Sequence, residues 1–311
     1  VNMALTLRVL LPVVLEVAAL ALKRSALPFG PSPTLVVFSS HHKTGTDLLE
    51  ELVTTQESVK VFGKPMDLTW EQPTGMRGCL GCMGYVQAQP EFRKRGHDFR
   101  ATRSRMYRNI DLASYVHLRE SKRPYKMIHL IRDPMGVIVS GYFHHLKYSD
   151  TPRMMFMTGP DQLMKHSFLE GLQVEAFAEL KGTIQEMLEV TNATQGDPNV
   201  LTIGVEDFKD NFNKTVQCMY SFLKEPGSLA VQKLVEAAQV ANLKNRPAWE
   251  LQKIDPGHFT DDELKDGANS LIAIDPHPVW KSVQKTRWQL GYFPLPGKNG
   301  MRHPQPFCDR F

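Results

Sequence analysis

The segment from Thr34 to Thr55 constrains the fold more than any other part of the chain. Thr34–Ser40 is a short apolar, β-branched run that follows two prolines, a pattern typical of a buried strand. A polar turn, His41–Thr46, comes next, and Asp47–Thr55 then carries three leucines at helical spacing. A strand, a turn and a helix in this order predict the opening of an α/β fold.

Two further apolar runs extend this pattern. Lys126–Arg132 and Asn199–Val205 have the composition of buried strands, and Pro134 suits the first turn of a helix. The predicted helices cover Pro134 to about Tyr148, Asp161–Val190, Asn211–Lys224 and Ser228–Leu243. The second of these, with Phe177 on its apolar face, is expected to be one long helix.

Two stretches carry no periodic pattern. Residues 62–115 are rich in glycine, proline and basic residues, with the densest cluster of arginines from Arg93 to Arg108. A solvated loop and a contact with an anionic ligand or acceptor both explain this cluster. The end of the chain from Phe293 is rich in proline and glycine and is predicted to be an irregular tail.

The turn after the first predicted strand has the residues of an anion site. A helix N-terminus presents unpaired amides and a partial positive charge, and Gly45 lets backbone amides approach a ligand closely. Lys43 adds a full charge, and the hydroxyls of Thr44 and Thr46 add donors. The G-x-x-x-x-G-K-[ST] pattern of nucleotide triphosphatases is excluded, because here the lysine precedes the glycine.

A second candidate element begins where the next predicted strand ends. Arg132 lies at that end, which is the usual place for ligand contacts in an open α/β sheet. Ser140 lies two turns into the following helix. An arginine and a hydroxyl can together bind a phosphate through charge-assisted hydrogen bonds.

Together the two elements resemble the sulfotransferases that use 3′-phosphoadenosine 5′-phosphosulfate (PAPS). Lys43-Thr44-Gly45-Thr46 is similar to that family's 5′-phosphosulfate loop, and the segment from Arg132 through Tyr142 is similar to its 3′-phosphate element. Glu206-Asp207 resembles the acidic pair that follows a strand in the family. The resemblance implies a three-layer α/β architecture of P-loop-like sulfotransferase type, in which helices flank a central, mostly parallel sheet.

The resemblance also implies a reaction and a set of site residues. Lys43 would act on the transferring sulfuryl group during in-line transfer from PAPS to an acceptor, because charge develops on the departing phosphate oxygen. No metal is expected. The residues expected to bind the donor are Lys43, Thr44, Gly45, Thr46, Asp47, Arg132 and Ser140, and Asp47 stands where many members carry Thr or Ser.

The general base has several candidates. Cytosolic members of the family place a histidine after a strand, and His117 stands in roughly that place; a neutral histidine can accept a proton near pH 7. Membrane-bound members often use an acidic residue shortly after the first helix, where Asp67 is the nearest candidate. His41 and His42 adjoin the anion-binding turn.

Other functions stay open at this stage. The acceptor is expected to be a carbohydrate or a small molecule with a hydroxyl or amine, and no nucleic-acid partner is predicted. A nucleotide kinase or hydrolase with an atypical phosphate loop, and a non-catalytic PAPS-binding module, are the alternative functions. Composition decides little between them, since a net charge of +4 with 42% hydrophobic residues is ordinary for a globular protein.

The N-terminal segment and the cysteines do not determine the cellular compartment of the protein. Val9–Leu22 is almost entirely apolar, and as a helix it would span about 21 Å, short of a bilayer core. We expect residues 1–30 to be an apolar helix or membrane anchor and residues 31–311 to be one domain, with a cytoplasmic location favoured over a Golgi or secretory one. Four cysteines exclude a disulfide scaffold, and Cys79 and Cys82 are either free thiols, a redox pair or a local disulfide.

Overall fold

Five parallel strands form the central sheet. The computed structural model describes residues 34–67, 104–147, 160–224, 228–242, 245–246, 262–294, 301–302 and 308. Within them the sheet has the order β2-β3-β1-β4-β5, and every neighbouring pair is parallel. The strands are β1 (Leu35–Ser39), β2 (Met66–Asp67), β3 (Ser104–Tyr107), β4 (Tyr125–Ile131) and β5 (Val200–Gly204).

Helices make up most of the remaining described chain. They are α1 (Thr46–Thr54), α2 (Gln56–Phe62), α3 (Leu112–Glu120), α4 (Pro134–His145), α5 (Pro160–Leu163), α6 (Phe168–Lys181), α7 (Thr183–Thr194), α8 (Val205–Leu223), α9 (Leu229–Ala237), α10 (Asp262–Ile274) and α11 (Pro278–Gln289). A 3₁₀ turn, Ala238–Ala241, follows α9, and β6 (Phe293–Pro294) pairs with β7 (Met301–Arg302) in an antiparallel hairpin.

Both faces of the sheet are covered. In β1, Val36 and Phe38 pack into one hydrophobic cluster with side chains of α1 and α8, whereas Leu35 and Val37 pack into another with side chains of α3. A strand buried on both faces reads as a continuous apolar run, which is why the sequence pattern located it. The observed layers confirm the expected three-layer α/β architecture.

The predicted long helix over Asp161–Val190 is wrong. The chain instead forms α5, α6 and α7, because Ser167 starts a new helix through a capping box with Glu170 and because Gly182 separates α6 from α7. The predicted apolar face also fails at Phe177, which is 48% exposed. The helix is rotated so that Glu175 and Glu179 face the interior instead.

Part of the stretch predicted to be irregular is ordered. Ser104–Tyr107 forms β3, whose Arg105 side chain is buried, and α3 follows. Arg108 forms an ion pair with Glu50 at 2.5 Å. Arg105 is therefore part of the sheet, and Arg108 is paired with α1. The rest of the basic cluster lies within residues 68–103, which are outside the described residues.

Two helices and a disulfide in the last part of the chain carry no local sequence pattern. The helices α10 and α11 pack on α4 and α6 through a shared hydrophobic cluster, although no helix was predicted beyond residue 243. Cys218 in α8 is bonded to Cys308. The apolar start, residues 1–30, and the Cys79/Cys82 pair lie outside the described residues. No helix in the described part of the chain is long and apolar enough to cross a membrane.

Candidate active site

The anion-binding turn lies at the carboxyl edge of the sheet. Residues Ser40–Gly45 connect β1 to α1, and we call this segment the β1–α1 turn. Its first residue is held by the end of β3, since the Ser40 amide donates to the Tyr107 carbonyl at 2.9 Å and the Ile110 amide donates to the Ser40 carbonyl at 3.1 Å. The turn is therefore fixed to the edge where ligands bind in parallel sheets.

Hydroxyl groups hold the turn in shape. The Thr44 hydroxyl donates to the His41 carbonyl at 2.9 Å and accepts from the His41 amide at 2.7 Å. The Thr46 hydroxyl also donates to the His41 carbonyl, at 3.2 Å, and lies 3.0 Å from the Ser40 hydroxyl. In this structure both threonine hydroxyls therefore organise the turn, whereas the sequence predicted them as ligand donors.

Two residues of the turn have a left-handed backbone. Lys43 and Gly45 adopt positive φ values of 59° and 83°, and Gly45 is the N-cap of α1 without any side-chain capping bond. The first amides of α1 are thus available to an anion. Asp47 is an exposed residue in the first turn of α1.

Arg132 joins the two predicted binding elements. Its Nη1 donates to the Lys43 carbonyl at 2.9 Å, so the strand end after β4 reaches the β1–α1 turn directly. A Cβ added at Gly136 would lie 2.9 Å from the Arg132 Nε, which shows that the side chain folds over the first turn of α4. Ser140 lies one helical turn further along the same face.

A buried network fixes the backbone beside Arg132. Glu206 accepts from the Asp133 amide at 3.1 Å and from the Tyr292 hydroxyl at 3.0 Å. Arg287 donates to the Asp133 carboxylate at 2.6 Å. Burial raises the pKa of Glu206, although the charge of Arg132 opposes the shift. Tyr292 and Arg287 come from the end of the chain, and no sequence motif marked them.

A second buried polar group lies behind the turn. His42 Nε2 lies 3.3 Å from His145 Nε2, and His145 Nδ1 lies 2.9 Å from Glu175 Oε1. Burial raises the pKa of Glu175 and that of Glu179 to about 8 each, and the charge of Lys43 partly opposes the shift at Glu175. Sequence reasoning missed both carboxyls, because the apolar face predicted for this segment contains Phe177 and neither glutamate.

The candidate bases occupy very different places. His117 lies in the last turn of α3, the helix that follows β3. This end of α3 belongs to the amino edge of the sheet, because Tyr115 donates to Asp197, a residue that precedes β5. The position of His117 therefore gives its predicted role as base no support.

His41, Asp67 and His42 are the remaining candidates. The His41 ring is fully buried against His129, with 2.9 Å between the two Nε2 atoms, and burial holds its pKa well below the usual value. Asp67 ends β2, and in register it is opposite Met106, so its backbone lies at the carboxyl edge of the sheet. His42 is half-buried in the β1–α1 turn.

The family is shown by a domain match. Residues 33–268 match the sulfotransferase domain, which covers more than half of the chain. The chain therefore belongs to the sulfotransferase domain family, and it is a sulfotransferase. This confirms the resemblance seen in the two binding elements, and the match also spans Glu206-Asp207. No curated protein shows significant similarity to the sequence.

Solved sulfotransferase structures resemble the chain weakly. A mouse sulfotransferase, SULT7A1, complexed with PAP has 14% identity over 81% of this chain and 88% of its own, with a TM-score of 0.45. Retinol dehydratase in complex with androsterone and the inactive cofactor PAP has 18% identity, coverage of 88% and 85%, and a TM-score of 0.38. The sulfotransferase domain from the curacin biosynthetic pathway has 15% identity, coverage of 86% and 100%, and a TM-score of 0.44. The family assignment rests on the domain match alone.

Proposed function

We propose that the protein transfers a sulfuryl group from PAPS to a hydroxyl or amine of a carbohydrate or small-molecule acceptor. The observation that carries this proposal is the hydrogen bond from Arg132 to the Lys43 carbonyl. It brings the guanidinium to the backbone of Lys43, in the turn that carries the Lys43 side chain and leads into the amides of α1. These are the charges that a donor with a 5′-phosphosulfate and a 3′-phosphate requires.

The residues present divide the chemistry between them. The α1 amides and Lys43 bind the 5′ end, and Arg132 and Ser140 bind the 3′-phosphate; a guanidinium that donates once to Lys43 has several N–H donors left for an anion. A bond forms between the acceptor atom and sulfur while the bond from sulfur to the 5′-phosphate oxygen breaks. Lys43 stabilises the charge that develops on that oxygen, and the acceptor proton passes to a base.

Alanine substitutions at Lys43 and Arg132 test the proposal. We expect Lys43→Ala to lower kcat by about 10²–10³-fold, the loss typical of one preorganised charge donor. Arg132→Ala should mainly weaken the affinity for the product nucleotide, measured by calorimetry. Sulfate transfer is measured with labelled PAPS over a panel of carbohydrate, hydroxylated and amine acceptors.

The control is Lys233→Ala, which removes an exposed lysine of α9 and should leave both quantities unchanged. Normal turnover in both test variants would contradict the proposal. Donor binding without turnover on any acceptor class would favour the non-catalytic module, and magnesium-dependent ATP binding without PAPS binding would favour the kinase or hydrolase.

We propose Asp67 as the general base. Its support is positional, since it ends β2 at the same edge of the sheet as the β1–α1 turn. A base must be deprotonated to act, so Asp67→Asn should remove the acidic limb of the pH profile of kcat and lower its plateau by about 10²–10⁴-fold. Asp67→Glu should partly restore the limb. If His42→Gln removes that limb and Asp67→Asn does not, His42 is the base.

We also propose that the chain matures in an oxidising compartment, the secretory alternative of the sequence analysis. The support is the bond between Cys218 and Cys308, because disulfides persist in secretory compartments and are rare in the cytosol.

A further inference from the structure

Three ligand-type side chains meet in the interior behind the β1–α1 turn. His145 comes from the end of α4, and Glu175 and Glu179 come from α6, where a spacing of four residues places them on one face. Their exposed fractions are 0%, 0% and 3%. One ligand atom from each residue lies within 4.8 Å of the others.

One carboxyl oxygen of each glutamate lacks a hydrogen-bond partner. Among the described residues, Glu175 Oε2 and Glu179 Oε1 are buried and have no hydrogen-bond partner. A Cβ at Gly141 would lie 2.5 Å from Glu175 Oε1 and 3.4 Å from Glu179 Oε1, so the glycine leaves the room that the two carboxyls occupy. Buried acidic groups are normally paired or bound to a metal ion, because an unpaired buried charge is costly.

We propose that His145, Glu175 and Glu179 bind a zinc-type divalent cation that ties α4 to α6. The ligands are one imidazole nitrogen and two carboxylate oxygens; zinc accepts both types of ligand, and three protein ligands leave a fourth position for water. The cation would neutralise both carboxylates. Calcium and magnesium are disfavoured, because they need about six or more oxygen ligands. The site does not depend on the donor proposed above.

The distances suit this assignment after a small adjustment. Neighbouring ligand atoms of a tetrahedral zinc ion lie about 3.4 Å apart. The widest pair in the cluster, which lies within 4.8 Å, would therefore draw together by at most about 1.4 Å, which rotation about the glutamate side-chain torsions can supply. His145 faces Glu175 through Nδ1, and this is the nitrogen that would bind the ion.

The outer nitrogen of His145 connects the site to the anion-binding turn. A histidine that binds a metal usually donates its other ring N–H to a fixed partner. Here that partner is His42, whose ring lies nearly parallel to that of His145 at 3.3 Å between the two Nε2 atoms. Lys43 is the neighbouring cation, yet the unpartnered oxygens of Glu175 and Glu179 accept no hydrogen bond from it.

Metal content of the full chain tests the proposal without any measurement of activity. After dialysis against metal-free buffer, we expect about one zinc ion per chain by elemental analysis. X-ray absorption at the zinc edge should show nitrogen and oxygen ligands at about 2.0–2.2 Å. A sulfur shell at about 2.3 Å would overturn the proposal, since it would place the ion on cysteines. Absence of zinc, with no thermal stabilisation on adding zinc, would also overturn it.

Isosteric variants locate the ion. The double variant Glu175→Gln, Glu179→Gln should lose the bound zinc, and His42→Ala should weaken zinc affinity by about 10–100-fold as an outer partner. Glu120→Gln, which alters an exposed glutamate of α3, should keep the ion. Retention of zinc by the double variant would overturn the proposal. If that variant does not fold, as seen by circular dichroism, the absorption spectrum of the wild type decides the question.

The proposal departs from the sequence expectation of a protein without metal. That expectation followed from the reaction, in which no metal is required. The proposed ion would have a structural role, because it would fix α4 to α6 and support His42 in the β1–α1 turn. It would take no part in the transfer of the sulfuryl group. The elemental analysis for zinc therefore decides between a protein that binds a metal ion and one that does not.

Discussion

At the scale of single residues, Gly45 determines whether the anion-binding turn can form. Its φ of +83° lies in the left-handed region that disfavours any side chain, and a Cβ there would lie 2.9 Å from the Val205 Cγ2. Val205 begins α8 directly after β5. The glycine thus lets the turn pack against the start of α8, which keeps the α1 amides at the sheet edge.

Replacement of Gly45 by alanine should therefore damage both stability and donor binding. We expect Gly45→Ala to lower the free energy of unfolding by about 1–3 kcal/mol, from the strained φ and the contact with Val205. The affinity for PAP, the product nucleotide of the proposed reaction, should also fall, because the turn must move. Denaturant unfolding measures the first quantity, and calorimetry the second.

Gly267 supplies the matched control for this substitution. It lies in α10 with nothing within 4 Å of an added Cβ, so Gly267→Ala should stabilise the protein by about 0.5–1 kcal/mol through helix propensity. Donor affinity should stay unchanged. A Gly45→Ala variant with wild-type stability and affinity would show that the turn does not depend on this glycine.

At the scale of secondary-structure elements, the strands that flank the site were predictable and α6 was not. β1, β4 and β5 are largely buried, so their sequences are mostly apolar runs that local pattern detects. The buried face of α6 instead includes Glu175 and Glu179, whose environment is created by His145 on another helix. Local periodicity carries no information about such a partner.

The same limit applies to the candidate site. Lys43, Gly45 and Arg132 follow predicted strands, so their common edge could be inferred from the parallel order alone. Arg287 and Tyr292 reach Asp133 and Glu206 from more than eighty residues further along the chain. Their contribution depends on how α11 packs, which is a tertiary property without a local signal.

At the scale of the whole molecule, the bond between Cys218 and Cys308 links α8 to the end of the chain. It closes a loop with a sequence separation of 90 residues, and that loop contains α9, α10 and α11, including the Arg287 and Tyr292 side chains of the site. A cross-link of this kind stabilises a protein by about 2–4 kcal/mol, mainly by restricting the unfolded chain. Both sulfurs belong to residues in the same buried cluster as Phe38 and Leu52.

Loss of this bond should therefore destabilise the fold, and its presence should depend on the compartment. We expect Cys218→Ala, Cys308→Ala to lower the free energy of unfolding by about 2–4 kcal/mol and to remove the sensitivity of the thermal midpoint to reductant. The variant Cys79→Ser, Cys82→Ser is the control, and it should keep that sensitivity. Alkylation and mass spectrometry without reduction should find the bond in protein from a secretory route and both thiols free in protein from a reducing cytosol. Free thiols at Cys218 and Cys308 in natively produced protein would contradict the proposed compartment, because the pair would then be only a buried contact between two small side chains.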